Sequence, residues 1–401
     1  GENTSIDYRE MAPVGATHDM YLDEEGNVDR DRAMFSHLAA GVPGTVAGLY
    51  RAHQQHGSLP WKRLLEAAIA QARFGVPVSF DLAEMLKSRQ VRMCKNAATC
   101  GYFYKEGGEP YAAGELLIQS DLADTLERIA NDGPDGFYKG KTAELIADEM
   151  KRGGGLVDAE SLAAYRAVDR KPVYGTYRGY EVVTMAPPSS GGVHVLQMLN
   201  ILEHFPVAEF GAGGADSIHL LAEVARLAYA DRSEHLGDPD YYDVPVEWLT
   251  SKEYGKELAA TIDMRQARKS TDVAAGVAPH AESPDTTHFS VVDADGNIVA
   301  TTTTLNFSFG SAISVTGAGF LLNNEMDDFV SKPGVPNAFG LLGGEANAIA
   351  AGKRPLSSMT PTIVLADGEP WFATGSPGGS RIITSVLQMI VNVIDHGMNL
   401  A

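Results

Sequence analysis

The chain has 401 residues, 44% of them hydrophobic, which suffices for a large core in one big or two medium domains. The formal net charge is -20 and no basic cluster interrupts it, so repulsion excludes nucleic acid and anionic membrane as partners. No run is apolar enough to span a bilayer, and the opening Gly1-Glu2-Asn3-Thr4 is polar and carries no signal peptide.

The first half reads as mostly helical. Residues 45–55 follow the Gly41-Val42-Pro43-Gly44 turn, and residues 61–74 place Leu64, Leu65, Ala68, Ile69 and Ala72 at helical spacing. Cys94 and Cys100 leave open a small disulfide, a metal half-site or two unrelated thiols. No second Cys pair or Cys/His cluster completes a zinc site, so a surface loop with one optional disulfide is the plain reading. Ser120 reads as the N-cap of a helix with Leu122, Leu126 and Ile129 on one face, closed by Asn131-Asp132-Gly133-Pro134. A further helix over 142–150 stops at Gly153-Gly154-Gly155, and the period turns strand-like over 177–185. Pro187-Pro188-Ser189-Ser190-Gly191-Gly192 then breaks the chain before helices over 193–204 and 216–232. His194 and His219 sit on these helices and read as structural.

Residues 271–285 are small, polar and Pro-containing, as an exposed linker is. Strands follow. Residues 287–292 and 298–304 flank Asp293-Ala294-Asp295-Gly296-Asn297, and residues 361–365 and 371–374 flank Asp367-Gly368, giving two hairpins. A last helix over 382–394 ends close to Leu400-Ala401; with the polar start, this suggests a piece of a longer protein. Helices, then sheet, then helix indicate layered α and β with mixed or antiparallel strands.

Thr286 at the mouth of a strand, directly after a linker, suits one chemistry. Cleavage of the Asp285–Thr286 bond would free an α-amine with a pKa of about 7.7–8.0, low enough to take the proton of its own Oγ. A turn centred between Asp295 and Gly296 places Thr286 opposite Leu305, with Thr304 and Asn306 flanking it. Gly378-Gly379, opening the last helix, offers unpaired N–H groups and close approach, as an oxyanion hole requires. From the pattern alone an ordinary Thr-rich strand is the plainer reading of the first segment, and a tight strand-to-helix turn fits the second equally.

Asp285-Thr286-Thr287-His288-Phe289-Ser290-Val291-Val292-Asp293 resembles the start of the small subunit of γ-glutamyltranspeptidases (glutathione hydrolases). Thr304-Leu305-Asn306, Leu322-Asn323-Asn324-Glu325-Met326-Asp327-Asp328-Phe329, Arg354-Pro355-Leu356-Ser357-Ser358-Met359 and Gly375-Ser376-Pro377-Gly378-Gly379-Ser380-Arg381 follow in the family's order. Upstream, Tyr8-Arg9-Glu10-Met11-Ala12-Pro13, Gly41-Val42-Pro43-Gly44-Thr45-Val46 and the 187–192 turn match as well. The resemblance implies an α+β fold, the four-layer αββα sandwich of N-terminal-nucleophile hydrolases, here truncated at both ends. Residues 1–285 would be part of the large subunit and 286–401 part of the small one, cut from a single precursor at Asp285-Thr286. Thr286 would be the nucleophile, with Thr304 near its amine and Gly378 and Gly379 as the oxyanion hole. Arg9, Ser357 and Ser358 would hold the donor α-carboxylate, and Asn306, Glu325 and Asp328 its α-amine, a match of charges that suits a zwitterion. It implies no cofactor or metal. Its partners are glutathione or other γ-glutamyl compounds, with water, an amino acid or a peptide as acceptor, and its location is periplasmic or extracellular. Phe339, in the lid stretch 333–347, stands where members with an acceptor-site lid often carry Tyr. A cephalosporin or glutaryl-amide acylase on the same scaffold, or an inactive relative, are the competing readings.

Overall fold

The computed structural model describes residues 2–269, 286–338 and 340–400. The linker 271–285, with Asp285, and Phe339 lie outside the described residues. The expected helices are Thr45–His56, Trp61–Phe74, Ser120–Asp132, Gly140–Gly153, Gly191–Leu202, Ala215–His235 and Arg381–Ile394. Two begin differently. Ser120 is the first helical residue rather than the cap, and Gln119 before it makes no capping bond. Gly191 and Gly192 belong to their helix. A Cβ on Gly192 would come within 2.1 Å of the Met185 carbonyl oxygen, so glycine lets the helix start tight against the preceding strand. Cys94 and Cys100 are joined by a disulfide that staples helix Phe80–Met93 to helix Ala97–Phe103, rather than closing a surface loop.

Every residue of Gly191–Leu202 is buried, with His194, Gln197 and Asn200 along one face and apolar or glycine residues elsewhere, as suits a helix enclosed by its neighbours. It packs on the strands Val173–Tyr177 and Tyr180–Thr184 and against helices Ala215–His235, Lys252–Ala259 and Arg381–Ile394, forming the main core. The sheet beneath is antiparallel, in the order Glu369–Thr374, Thr362–Ala366, Tyr180–Thr184, Val173–Tyr177. Asp367 (φ 52°) and Gly368 (φ 81°) both take positive φ, so the hairpin between its first two strands turns through a two-residue loop matched to strand twist. A bulge at Pro370–Phe372 displaces Trp371, whose ring stacks on Tyr180 at 4.7 Å. The second hairpin, Thr287–Val292 with Ile298–Thr303, lies beside strand Glu369–Thr374. A separate core joins helices Ser120–Asp132 and Gly140–Gly153 to Ile313, Val315, Ala318 and Leu322.

Candidate active site

Thr286 precedes the first strand of its hairpin. Thr287 pairs with Thr303, so Thr286 falls opposite Thr304 and not Leu305. The one-residue difference comes from the turn. Asp293 Oδ1 accepts the N–H groups of Asp295 (3.0 Å) and Asn297 (2.8 Å), Gly296 takes φ 83°, and the loop centres on Asp295. The shift brings Thr304 directly across, with Thr286 Oγ1 3.5 Å from Thr304 Oγ1, adjacent rather than tightly bonded. Thr304 Oγ1 also accepts the Asn306 N–H at 2.9 Å. His288 anchors the hairpin. Its ring lies where a Cβ on Gly375 would be, 2.1 Å from Nδ1, and Nδ1 pairs with Thr302 Oγ1 at 2.8 Å. The strand end after Gly375 therefore runs up to Thr286 and delivers Gly378 (φ 129°) and Gly379 (φ 55°). Neither N–H donates to another described residue. Gly379 lines the cleft with Thr286, and Gly378 is not among the lining residues.

Arg9 reaches the same cleft from the N-terminal end. Its segment is fixed by the Met11–Val42 bridge and by Tyr165, whose hydroxyl donates to the Arg9 carbonyl at 2.9 Å. The Gly41 backbone in turn exchanges two 2.9 Å hydrogen bonds with the Asn323 side chain, so the Gly41-to-Gly44 turn joins Arg9 to the 322–329 motif. The guanidinium is 4% exposed. It donates to Glu325 Oε2 at 2.5 Å, to Asp328 Oδ2 and to the Pro355 carbonyl at 3.3 Å. Burial opposes its charge, but Glu325, Asp328 and Glu10 together hold its proton more tightly than usual. The acids pay for this crowding. Burial, joined by the charges of Asp328 and Asp7 and opposed by Arg9, pushes the Glu10 carboxyl up to about 7. Burial, with Glu10 and Asp328, likewise pushes Glu325 well up against the pull of Arg9. One guanidinium thus faces three acids, and Glu325 Oε1 is buried without accepting a hydrogen bond from any described residue. Burial favours the neutral form of Glu10 and Glu325, and Asp328 is the acid of this cluster that lines the cleft.

Asn306 (φ 74°) gives Nδ2 to the Asn324 carbonyl at 2.9 Å, leaving Oδ1 as an acceptor. Ser357 Oγ accepts the Met359 N–H at 3.0 Å, and Ser358 Oγ accepts from Arg232 at 3.1 Å, so each hydroxyl keeps its own proton to donate. Of the residues expected from sequence, Thr286, Thr304, Asn306, Arg9, Asp328, Ser357, Ser358 and Gly379 line one cleft. Glu325 is at 0% exposure behind Arg9 and acts on the cleft through it. Arg232 lines the cleft too, although nothing in its sequence context, the end of a long helix, marks it.

The Gamma-glutamyltranspeptidase family model matches residues 1–401. The chain belongs to the γ-glutamyltranspeptidase family. It is similar to the glutathione hydrolase proenzyme of Escherichia coli (strain K12), 52% identical over 401 residues, covering all of this chain and 69% of that protein. The solved Helicobacter pylori γ-glutamyltranspeptidase is 43% identical with a TM-score of 0.67, over 68% of this chain and 78% of that one. A cephalosporin acylase from Bacillus halodurans is 25% identical with a TM-score of 0.82, over 99% of this chain and 70% of that one. Fold and family thus agree with the N-terminal-nucleophile hydrolase scaffold and its α+β layering, and the chain is of an enzyme family whose relatives are proenzymes.

Proposed function

We propose that the chain cleaves γ-glutamyl amides through an ester on Thr286, after cutting itself between Asp285 and Thr286. In the first event Thr286 Oγ attacks the Asp285 carbonyl, the acyl group passes from N to O, and water hydrolyses that ester, freeing the Thr286 α-amine and dividing the chain into 1–285 and 286–401. In turnover the amine takes the Oγ proton as Oγ attacks the γ-carbonyl. The Gly378 and Gly379 N–H groups carry the oxyanion, and the proton leaves with the departing amine. Water, or the amine of an amino acid or peptide, then attacks the γ-glutamyl ester. Thr304 orients the nucleophile from across the hairpin.

The observation that carries the γ-glutamyl reading is Asp328, which lines the cleft beside Asn306 and is backed by Glu325 and Glu10 around Arg9. It calls for a donor with an ammonium group, which γ-glutamyl compounds such as glutathione have and glutaryl amides lack. The test compares γ-glutamyl and glutaryl p-nitroanilides on the complete, self-cleaved enzyme. A preference for γ-glutamyl of about 30-fold or more in kcat/KM is expected from the loss of one charged partner. Equal constants would promote the acylase reading instead. No helix among the described residues is long and apolar enough to cross a membrane. The Cys94–Cys100 disulfide supports a periplasmic or extracellular site of action, where thiols stay oxidised.

A further inference from the structure

On the γ-glutamyl reading the donor α-carboxylate lies between Arg9 and Ser357-Ser358, and cleavage after Asp285 leaves these on different products, 1–285 and 286–401. Arg354 joins the two. It opens the Arg354-Pro355-Leu356-Ser357-Ser358 stretch, is 4% exposed, and sinks its side chain among residues of the first product. Its Nε lies 3.4 Å from Asp7 Oδ2 and its Nη1 3.7 Å from Asp240 Oδ2, and its Nη2 donates to the Arg166 carbonyl at 2.6 Å. Its backbone N–H donates to Asp238 Oδ2 at 2.7 Å, and its guanidinium stands 5.9 Å from the centre of the Tyr165 ring.

Two of these contacts lead to Arg9. Asp7 Oδ1 accepts the Arg9 N–H at 2.9 Å, and the Tyr165 hydroxyl donates to the Arg9 carbonyl at 2.9 Å. The Arg9 backbone is thus gripped on both sides by groups that Arg354 touches. Both groups are buried, so water screens the contacts little. Asp7 is set in turn by the pairing of strand Ser5–Asp7 with strand Val168–Arg170. Arg170 Nε donates to Asp7 Oδ2 at 3.2 Å, and its two terminal nitrogens donate to Asp240 at 2.7 and 2.6 Å. Two arginines and three aspartates form one network, open to solvent chiefly at Asp240, and removing one member leaves an opposite charge stranded. From the other side Arg9 Nε reaches the Pro355 carbonyl at 3.3 Å, one residue past Arg354. Arg354 itself is not among the residues lining the cleft.

We propose that Arg354 is a positioning residue for donor binding: through Asp7 and Tyr165 it sets the spacing between the Arg9 backbone and the Ser357-Ser358 segment across the two products of cleavage. The inference rests on the γ-glutamyl reading and goes beyond it in naming a residue outside the cleft on which donor affinity depends.

The test uses the complete, self-cleaved enzyme with γ-glutamyl-p-nitroanilide as donor. In Arg354→Gln the KM should rise about tenfold or more while kcat per cleaved chain stays within about threefold of wild type. Glutamate should weaken by the same factor as a competitive inhibitor, whereas 4-aminobutyrate, which keeps the amine and lacks the α-carboxylate, should stay within about twofold. Asp7→Asn should behave alike, and the double variant should lose no more than about twofold beyond the worse single one, because both break one link. A residue that served only stability would lower the urea midpoint and leave KM and the ratio of the two inhibition constants as in wild type. That result overturns the proposal, as do losses that multiply in the double variant. Should Arg354→Gln fail to fold or self-cleave, Arg354→Lys decides. It keeps the charge but not the fork that reaches Asp7 and the Arg166 carbonyl together, so KM should rise about threefold or more, and an unchanged KM again overturns the idea. Wild type that cleaves the glutaryl anilide but not the γ-glutamyl one defeats the γ-glutamyl reading and this inference with it. Wild type that cleaves the γ-glutamyl anilide, with an unchanged KM in the variants, defeats this inference alone.

Discussion

Asp328→Asn probes amine recognition at its most exposed acid. The Asp328 side chain is 13% exposed and the Glu325 side chain 0%, so of the two acids on Arg9 only Asp328 reaches the cleft. The substitution removes one negative charge at nearly constant volume. Arg9 keeps Glu325 at 2.5 Å and the Pro355 carbonyl at 3.3 Å, so the local frame persists and the loss is read in catalysis. Removing one charged, hydrogen-bonded partner from a desolvated site costs about 2–5 kcal/mol. At about 1.4 kcal/mol per factor of ten, kcat/KM for γ-glutamyl-p-nitroanilide should fall by about 30-fold to a few thousand-fold. Glutaryl-p-nitroanilide brings no ammonium, so its kcat/KM should stay within about threefold of wild type, and the preference between the donors should collapse. Initial rates of p-nitroaniline release across donor concentrations measure both. If the two donors lose equally, Asp328 does not read the amine, and the assignment of the acid cluster is wrong.

Other outcomes follow from the same geometry. Thr286→Ala should remain a single uncut, inactive chain while Thr287→Ala still divides, which a denaturing gel resolves; a processed Thr286→Ala protein would remove Thr286 as the nucleophile. Arg9→Met leaves Glu10, Glu325 and Asp328 without their shared cation and should cost about 3–5 kcal/mol in stability, seen as a lower urea midpoint. Burial opposes the ionised Glu149 carboxyl, but His37, Thr316 and Arg152 hold it down to about 2. Its native pKa lies below the unfolded value near 4.5, so its contribution is present above that value and is lost as pH falls toward about 2. Glu149→Gln should therefore lose less melting temperature than wild type on acidification, and parallel losses would contradict the assignment.

What the sequence discloses and what it hides divide along a physical line. Helix and strand positions follow from local periodicity and glycine punctuation, so helix Trp61–Phe74 and the Asp367-Gly368 hairpin fall where the pattern puts them. The hairpin register does not, because it hangs on one side chain. Asp293 gathers two N–H groups, the turn centres on Asp295, and Thr304 moves directly across from Thr286. The Arg9 motif carries the expectation of a carboxylate ligand, but it does not show that the side chain also pairs with acids 316 and 319 residues away, one of them too deep to reach the cleft. No local pattern places Arg232 in the cleft, where a helix end meets two serines from separate turns. Charge balance explains both results. A zwitterionic donor needs both signs of charge in one cleft, and Arg9 and Asp328 bring them to adjoining positions there. Arg232 lines the same cleft and makes no ion pair among the described residues, so the balance of charge is a property of the assembled cleft rather than of any one motif.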